Sequence, residues 1–326
     1  MTNDPVLLLH HECWRESTGS GAVPTDFGGA TSCIESAGTG RPNAPCGAVF
    51  LRATVLLLAV ALHASCRAPA PPQPRLVLPV PGENRATGSE LALRIDGLAL
   101  AGREQALWQE LERGNVPAFL GRLVPVTTSA IVDGTVRTAR FWVAPDWFGF
   151  GTEADWFRMP MAPPLAQRIA DRLDCTLPTR RMSDAIWQQA AVKVAPRPIS
   201  PKEHDICSVA QFHRHHGMVE AQLQGADRAQ LVAGAKKDVV VSALVAAHPR
   251  RVVIYGWHQP DGKPIQPLSK VHGFGHVDYS HGIRFVARAM ELDGVPTTVA
   301  AVLADPKLHV LLSDEGPIAV TRYPVE

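Results

Sequence analysis

The order of segments along residues 76–326 predicts an α+β domain on a largely antiparallel sheet, with helices inserted in the middle of the chain. Strand-like runs rich in Val, Ile and Thr fill the first and last thirds. Turn dipeptides join those runs as hairpins. Apolar residues three and four apart mark the middle as helical. A proline-rich joint at 195–201 leaves two forms open, a single domain or two closely packed lobes.

Taken in order, Leu76–Pro79 and Leu91–Ile95 alternate weakly and are read as strands. Arg103–Arg113 spaces Ala106, Leu107 and Leu111 as a helix, which Gly114 ends. Asn115-Val116-Pro117 opens a short helical turn. Leu123–Ile131 and Val136–Val143 are strands around an Asp133-Gly134 hairpin. Pro164–Leu173, Ser183–Ala191 and Ser208–Gln224 are helices, with Pro178-Thr179 starting the second. Asp238–Ser242 and Arg251–Gly256 return to strand, and Pro260-Asp261-Gly262-Lys263 turns into a further strand at Pro264-Ile265. Ile283–Leu292 alternates up to Asp293-Gly294, and Ala300–Leu303 and Leu308–Leu312 close the chain as short helices.

The 326 residues are 46% hydrophobic, enough for a sizeable core, and the net charge is +1. No basic face is implied, so nucleic acid is not an expected partner. Arg52, the uncharged run Ala53–Leu62, and then Ala64, Ser65 and Cys66 follow the basic, apolar, small order of a secretory signal. That run is too short for a membrane span, which needs about 20 residues. Residues 49–66 are therefore read as a signal peptide, and 1–48, acidic and aperiodic, as a disordered extension or a mis-assigned start. Leu62-His63-Ala64-Ser65-Cys66 resembles a bacterial lipobox, which implies lipidation of Cys66. The proline-rich stretch 67–75 reads as a tether. The expected location is outside the cytoplasm, periplasmic or at the cell surface, with the membrane as partner through a lipid anchor. Cys175 and Cys207 are the two cysteines of the globular part, and either a disulfide or two separate thiols fits them.

Histidine usage carries the chemical signal. Nine histidines fall between His204 and His281. His213 and His216 share a helical face at i, i+3, with no Glu placed as a zinc-protease helix requires, so a polar face is the plainer account. The densest group is Val271-His272-Gly273-Phe274-Gly275-His276-Val277-Asp278-Tyr279-Ser280-His281-Gly282-Ile283-Arg284. Extended, it would put His272, His276, Asp278 and Ser280 on one face and His281 on the other. Its three glycines permit sharp turns or close approach to a ligand. The candidate catalytic residues are His272, Asp278, Ser280 and His281: a histidine oriented by Asp278 would activate Ser280 or water. His276, with His272 and Asp278, is a candidate two-His, one-carboxylate zinc face, with His258 as a fourth ligand. Lys236, His258 and Arg284 are candidate substrate-binding residues.

Ser280-His281-Gly282-Ile283-Arg284 resembles the Ser-His-Gly-Cys-x-Arg motif of L,D-transpeptidases, and His272-Gly273 is similar to their upstream His-Gly. Those proteins are exported cell-wall cross-linkers with a catalytic cysteine. Here Ile283 follows Gly282 directly, so the nucleophile is absent and the cross-linking activity does not carry over. The functional expectation is an exported hydrolase acting on a cell-envelope or extracellular polymer through the 272–284 loop. The alternative is a non-catalytic envelope protein that binds a ligand or the cell wall.

Overall fold

The first hairpin sets the frame of the domain. Asp133 and Gly134 both take positive φ, 48° and 77°, as a two-residue turn of the primed kind requires. It joins β1 (Val124–Val132) to β2 (Thr135–Val143), antiparallel from Val132↔Thr135 to Val124↔Val143. The computed structural model describes residues 74–325. The expected extension, signal peptide, Cys66 lipobox and most of the tether lie outside the described residues.

The chain forms a mixed α+β single domain, as the sequence predicts. The larger sheet runs β1–β2–β12–β13, with β12 at Val286–Leu292 and β13 at Val295–Thr298. β5 (Cys175–Thr176) pairs with the start of β12. A second sheet runs β10–β9–β8–β11, from Pro264–Ser269 through Ile254–His258 and Lys237–Val239 to His281–Gly282. Its last pair, β11 with β8, is parallel. Two small pairs complete the strands: β3 (Gly149–Gly151) with β4 (Trp156–Arg158), and β6 (Val192–Lys193) with β7 (Val232–Ala233).

Among the described residues the α-helices are α1 (Gly88–Ile95), α2 (Leu100–Glu112), α3 (Pro163–Arg172), α4 (Arg180–Gln189), α5 (Val209–Glu220), α6 (Ala243–Ala247) and α7 (Val299–Ala304). α1 corrects the strand expected at Leu91–Ile95. Thr87 accepts from the Glu90 amide and Glu90 accepts from the Thr87 amide, a capping box that starts a helix. Gly88, Leu91, Ala92 and Ile95 then face inward at helical spacing. Leu76–Pro79 is extended but joins no sheet; the Leu76 amide donates to the Gly121 carbonyl.

The proline-rich joint does not separate two lobes. Ile199 within it is buried, and its amide donates to the Tyr279 hydroxyl at 2.7 Å. Cys175 and Cys207 are free thiols, so the disulfide is not formed. Cys175 is buried and donates to the Leu173 carbonyl. Among the described residues no helix is long and apolar enough to cross a membrane.

Candidate functional site

Two turns assemble the site. The Val252 amide donates to the His272 carbonyl and the Phe274 amide to that of Arg250, which fixes 272–274 against the neighbouring chain. The His276 amide then donates back to the Gly273 carbonyl. That reversal stacks the His276 ring on His272, with centroids 3.9 Å apart. In the second turn Asp278 accepts from the amide and the hydroxyl of Ser280, at 2.7 and 2.5 Å, as Asp does in side-chain-closed turns. The His281 amide donates to the Asp278 carbonyl and brings the His281 ring back over the carboxylate. The segment is therefore turned rather than extended, and His281 sits on the same side as Asp278 instead of opposite it.

The two oxygens of Asp278 have different work. Ser280 occupies Oδ1. Oδ2 faces two imidazoles, 3.3 Å from His276 Nε2 and 3.6 Å from His281 Nε2. Asp278, Ser280 and His281 are buried, whereas the His276 side chain keeps 18% exposure and opens the cluster to solvent. Among the described residues neither ring nitrogen of His281 has a hydrogen-bond partner. A buried polar atom left that way costs about 1–3 kcal/mol.

Electrostatics sets the protonation. Burial opposes ionisation of Asp278, but nearby His281 and Lys237, with the hydrogen bonds from His276 and Ser280, hold its carboxyl well below the ordinary carboxylate range. Burial pushes the His281 imidazole down to about 3, against the pull of Asp278. An ionised carboxylate thus faces a neutral imidazole at neutral pH.

The other expected site residues are placed differently. Ser280 directs its hydroxyl at Asp278 and not at an imidazole, so a histidine-activated serine is not assembled. Arg284 is fully buried and donates to the carbonyls of Ala144 and Val232, with its guanidinium over the Trp147 ring. It ties backbone segments together and is not available to an anionic ligand. Lys236 is buried too, with Nζ donating to the Tyr279 carbonyl at 2.5 Å; it braces the turn from below rather than binding substrate. His258 is turned away to α4, where it and the Tyr255 hydroxyl both reach Asp184 Oδ1 at 2.8 Å. Positive φ at Gly256 (103°) and Trp257 (58°) produces that turn. A bulky residue rarely holds such a φ, and here the Trp257 amide bonds to the Lys236 carbonyl while its ring meets Tyr279. His258 is accordingly no fourth ligand.

One residue beneath the site gives no sign of its place in the local sequence. His215 is buried against the Tyr279 ring, and neither of its ring nitrogens has a hydrogen-bond partner among the described residues. His216 is buried beside it and accepts from the Arg158 amide at 3.3 Å. Nothing in the run Phe212–Gly217 separates buried imidazoles from exposed ones, because the residues that cover them lie far off in the chain, Tyr279 after His215 and Arg158 before His216.

These buried bases predict a pH profile. Burial first, then the charges of Lys236 and Arg158, push His215 down to about 2, and burial lowers His216 as well. Burial lowers Lys236 to about 7. In each case the unfolded chain binds protons that the folded chain does not, so stability rises with pH. The histidines should remove stability as pH falls below about 6.5, by up to about 1.4 kcal/mol per unit for each group. Lys236 should add stability between about pH 7 and 9, roughly 2 kcal/mol in total, before the buried thiols and phenols, whose folded values are raised, oppose it. Urea denaturation at several pH values measures this. In Lys236→Met the slope between pH 7 and 9 should flatten; an unchanged slope would reject the assignment.

Comparison with known protein families, curated proteins and solved structures finds no match to this chain.

Proposed function

We propose that the chain is an exported hydrolase that acts on a cell-envelope or extracellular polymer through the cluster around Asp278. One observation carries the reading: two imidazoles converge on a single oxygen of a buried, hydrogen-bonded carboxylate, and one of them, His276, reaches solvent. His276, the imidazole that reaches solvent, is placed to take a proton from a water polarised by the ionised carboxylate. The water oxygen would attack the acyl or glycosyl carbon of the polymer, and the released proton would pass to the leaving amine or alcohol. Ser280 orients the carboxylate, and His272 supports the His276 ring by stacking. Export, with a lipid anchor at Cys66, rests on the order of residues 52–66.

The test is release of soluble fragments from isolated cell-wall sacculi, with wild type beside Asp278→Asn. Asparagine keeps the shape and removes the charge. Turnover is expected to fall by about 100-fold or more while circular dichroism stays native. Wild-type protein that releases nothing from sacculi or from soluble polysaccharide and peptide fragments would sink the hydrolase reading. A second reading, a non-catalytic envelope protein, draws support from the burial of Ser280, His281 and Arg284. It expects Asp278→Asn to lower the melting temperature and leave ligand or cell-wall binding intact.

A further inference from the structure

We propose that His276, Asp278 and His281 form a binding site for one divalent transition-metal ion of the zinc class. The inference deepens the hydrolase reading and rests on it for the ion's chemical use, but not for the ion's binding. One ligand atom from each of the three residues lies within 4.8 Å of the others.

The separations leave room for an ion between the ligand atoms. A histidine that simply pairs with a carboxylate sits about 2.7–2.9 Å from it. Ligands at about 2.0–2.2 Å from a tetrahedral zinc stand roughly 3.3–3.6 Å apart. Asp278 Oδ2 lies 3.3 Å from His276 Nε2, a long hydrogen bond, and 3.6 Å from His281 Nε2, and both separations fall within the second spacing.

A second observation is independent of those distances. The His281 side chain is 1% exposed, and among the described residues neither of its nitrogens has a hydrogen-bond partner. Both ring nitrogens are sealed from water beyond hydrogen-bond reach of an acceptor or donor, and an ion at Nε2 would give one of them a partner. The remaining groups act as a supporting shell. Ser280 claims Oδ1, which leaves Oδ2 to point at the imidazoles, and Lys236 grips the carbonyl between the two residues. Such outer partners commonly orient metal ligands. Three protein ligands with an exposed rim at His276 resemble a catalytic zinc site, where the fourth position holds water. His272, stacked on His276, is a positioning residue and not a ligand.

The experiment uses the full-length chain, stripped with chelator, dialysed, and titrated with Zn²⁺ and separately with Co²⁺. About one equivalent should remain after desalting, and Co²⁺ should give the visible absorption of a four-coordinate site. His276→Gln, at the exposed rim and so the change least harmful to folding, should cut retained metal at least tenfold with a native circular dichroism spectrum. His309→Gln, outside the cluster, should retain the full equivalent. Wild type that retains no metal, or His276→Gln that retains it undiminished, overturns the site. Metal bound without hydrolysis supports the site and removes the hydrolase reading. Hydrolysis unaffected by chelation, by protein that retains no ion, overturns the site and keeps the hydrolase reading.

Discussion

Gly282→Ala should destabilise the domain by about 3–5 kcal/mol and lower its melting temperature by roughly 10 °C or more. The reason is space, not backbone freedom. A methyl group at Gly282 would sit 2.3 Å from Trp147 Cδ1, 2.6 Å from its Nε1 and 2.8 Å from Lys236 Cβ. Neither neighbour can retreat cheaply. The Trp147 indole donates to Asp238 Oδ1 at 2.5 Å, its amide donates to Asp146, and the Arg284 guanidinium covers its ring. Lys236 adjoins β8, which pairs with β11 through His281↔Lys237 and Gly282↔Asp238. Displacing the indole would strand the buried Asp238 carboxylate, so the cost of overpacking and the cost of a lost charged hydrogen bond add. Thermal and urea denaturation read this directly. A loss of less than about 1 kcal/mol would mean that the indole can swing aside.

Asp146→Ala should cost about as much, roughly 3–5 kcal/mol, by a different route. Arg158 is fully buried. Its Nε and one terminal nitrogen bond to the two oxygens of Asp146 at 2.7 and 2.6 Å, while the other terminal nitrogen meets Glu220 at 2.8 Å and His216 at 3.0 Å. Removing Asp146 leaves a guanidinium in the interior with only half its acceptors. The double variant Asp146→Ala, Arg158→Met removes both charges together and should be less damaging than Asp146→Ala alone. If the double variant instead equals the sum of the single changes, the pair is not coupled and the account fails.

What the sequence showed of this architecture follows physical locality. The β1–β2 hairpin was legible because Asp133-Gly134 supplies its own turn chemistry, and α2, α3 and α4 because their apolar spacing lies within one helix. The helix at Gly88–Ile95 was misread as a strand because Leu91–Ile95 alternates weakly, although the Thr87–Glu90 capping box stood just before it. The site was legible as a stretch of chain and not as an arrangement. His272, His276, Asp278, Ser280 and His281 do gather, but the Asp278–Ser280 hydrogen bonds turn the chain and set His281 beside the carboxylate. The buried roles of Lys236, Arg284 and His215 depend on partners tens of residues away, which no local pattern reports.

The brace from Lys236 to the Tyr279 carbonyl has a consequence in time. It joins residues 43 apart in sequence, and the ties from Arg284 reach 52 and 140 residues back. Contacts of such span close late, since each must first bring a long stretch of chain together. A chain emerging from its N-terminus carries His215 and Lys236 without Tyr279, the residue both of them meet, until residues 278–284 arrive. Synthesis must run to within about 40 residues of the last one before the turn that holds Asp278 can be locked. A chain truncated just before residue 278 would therefore hold most of the fold's mass without the turn that carries Asp278.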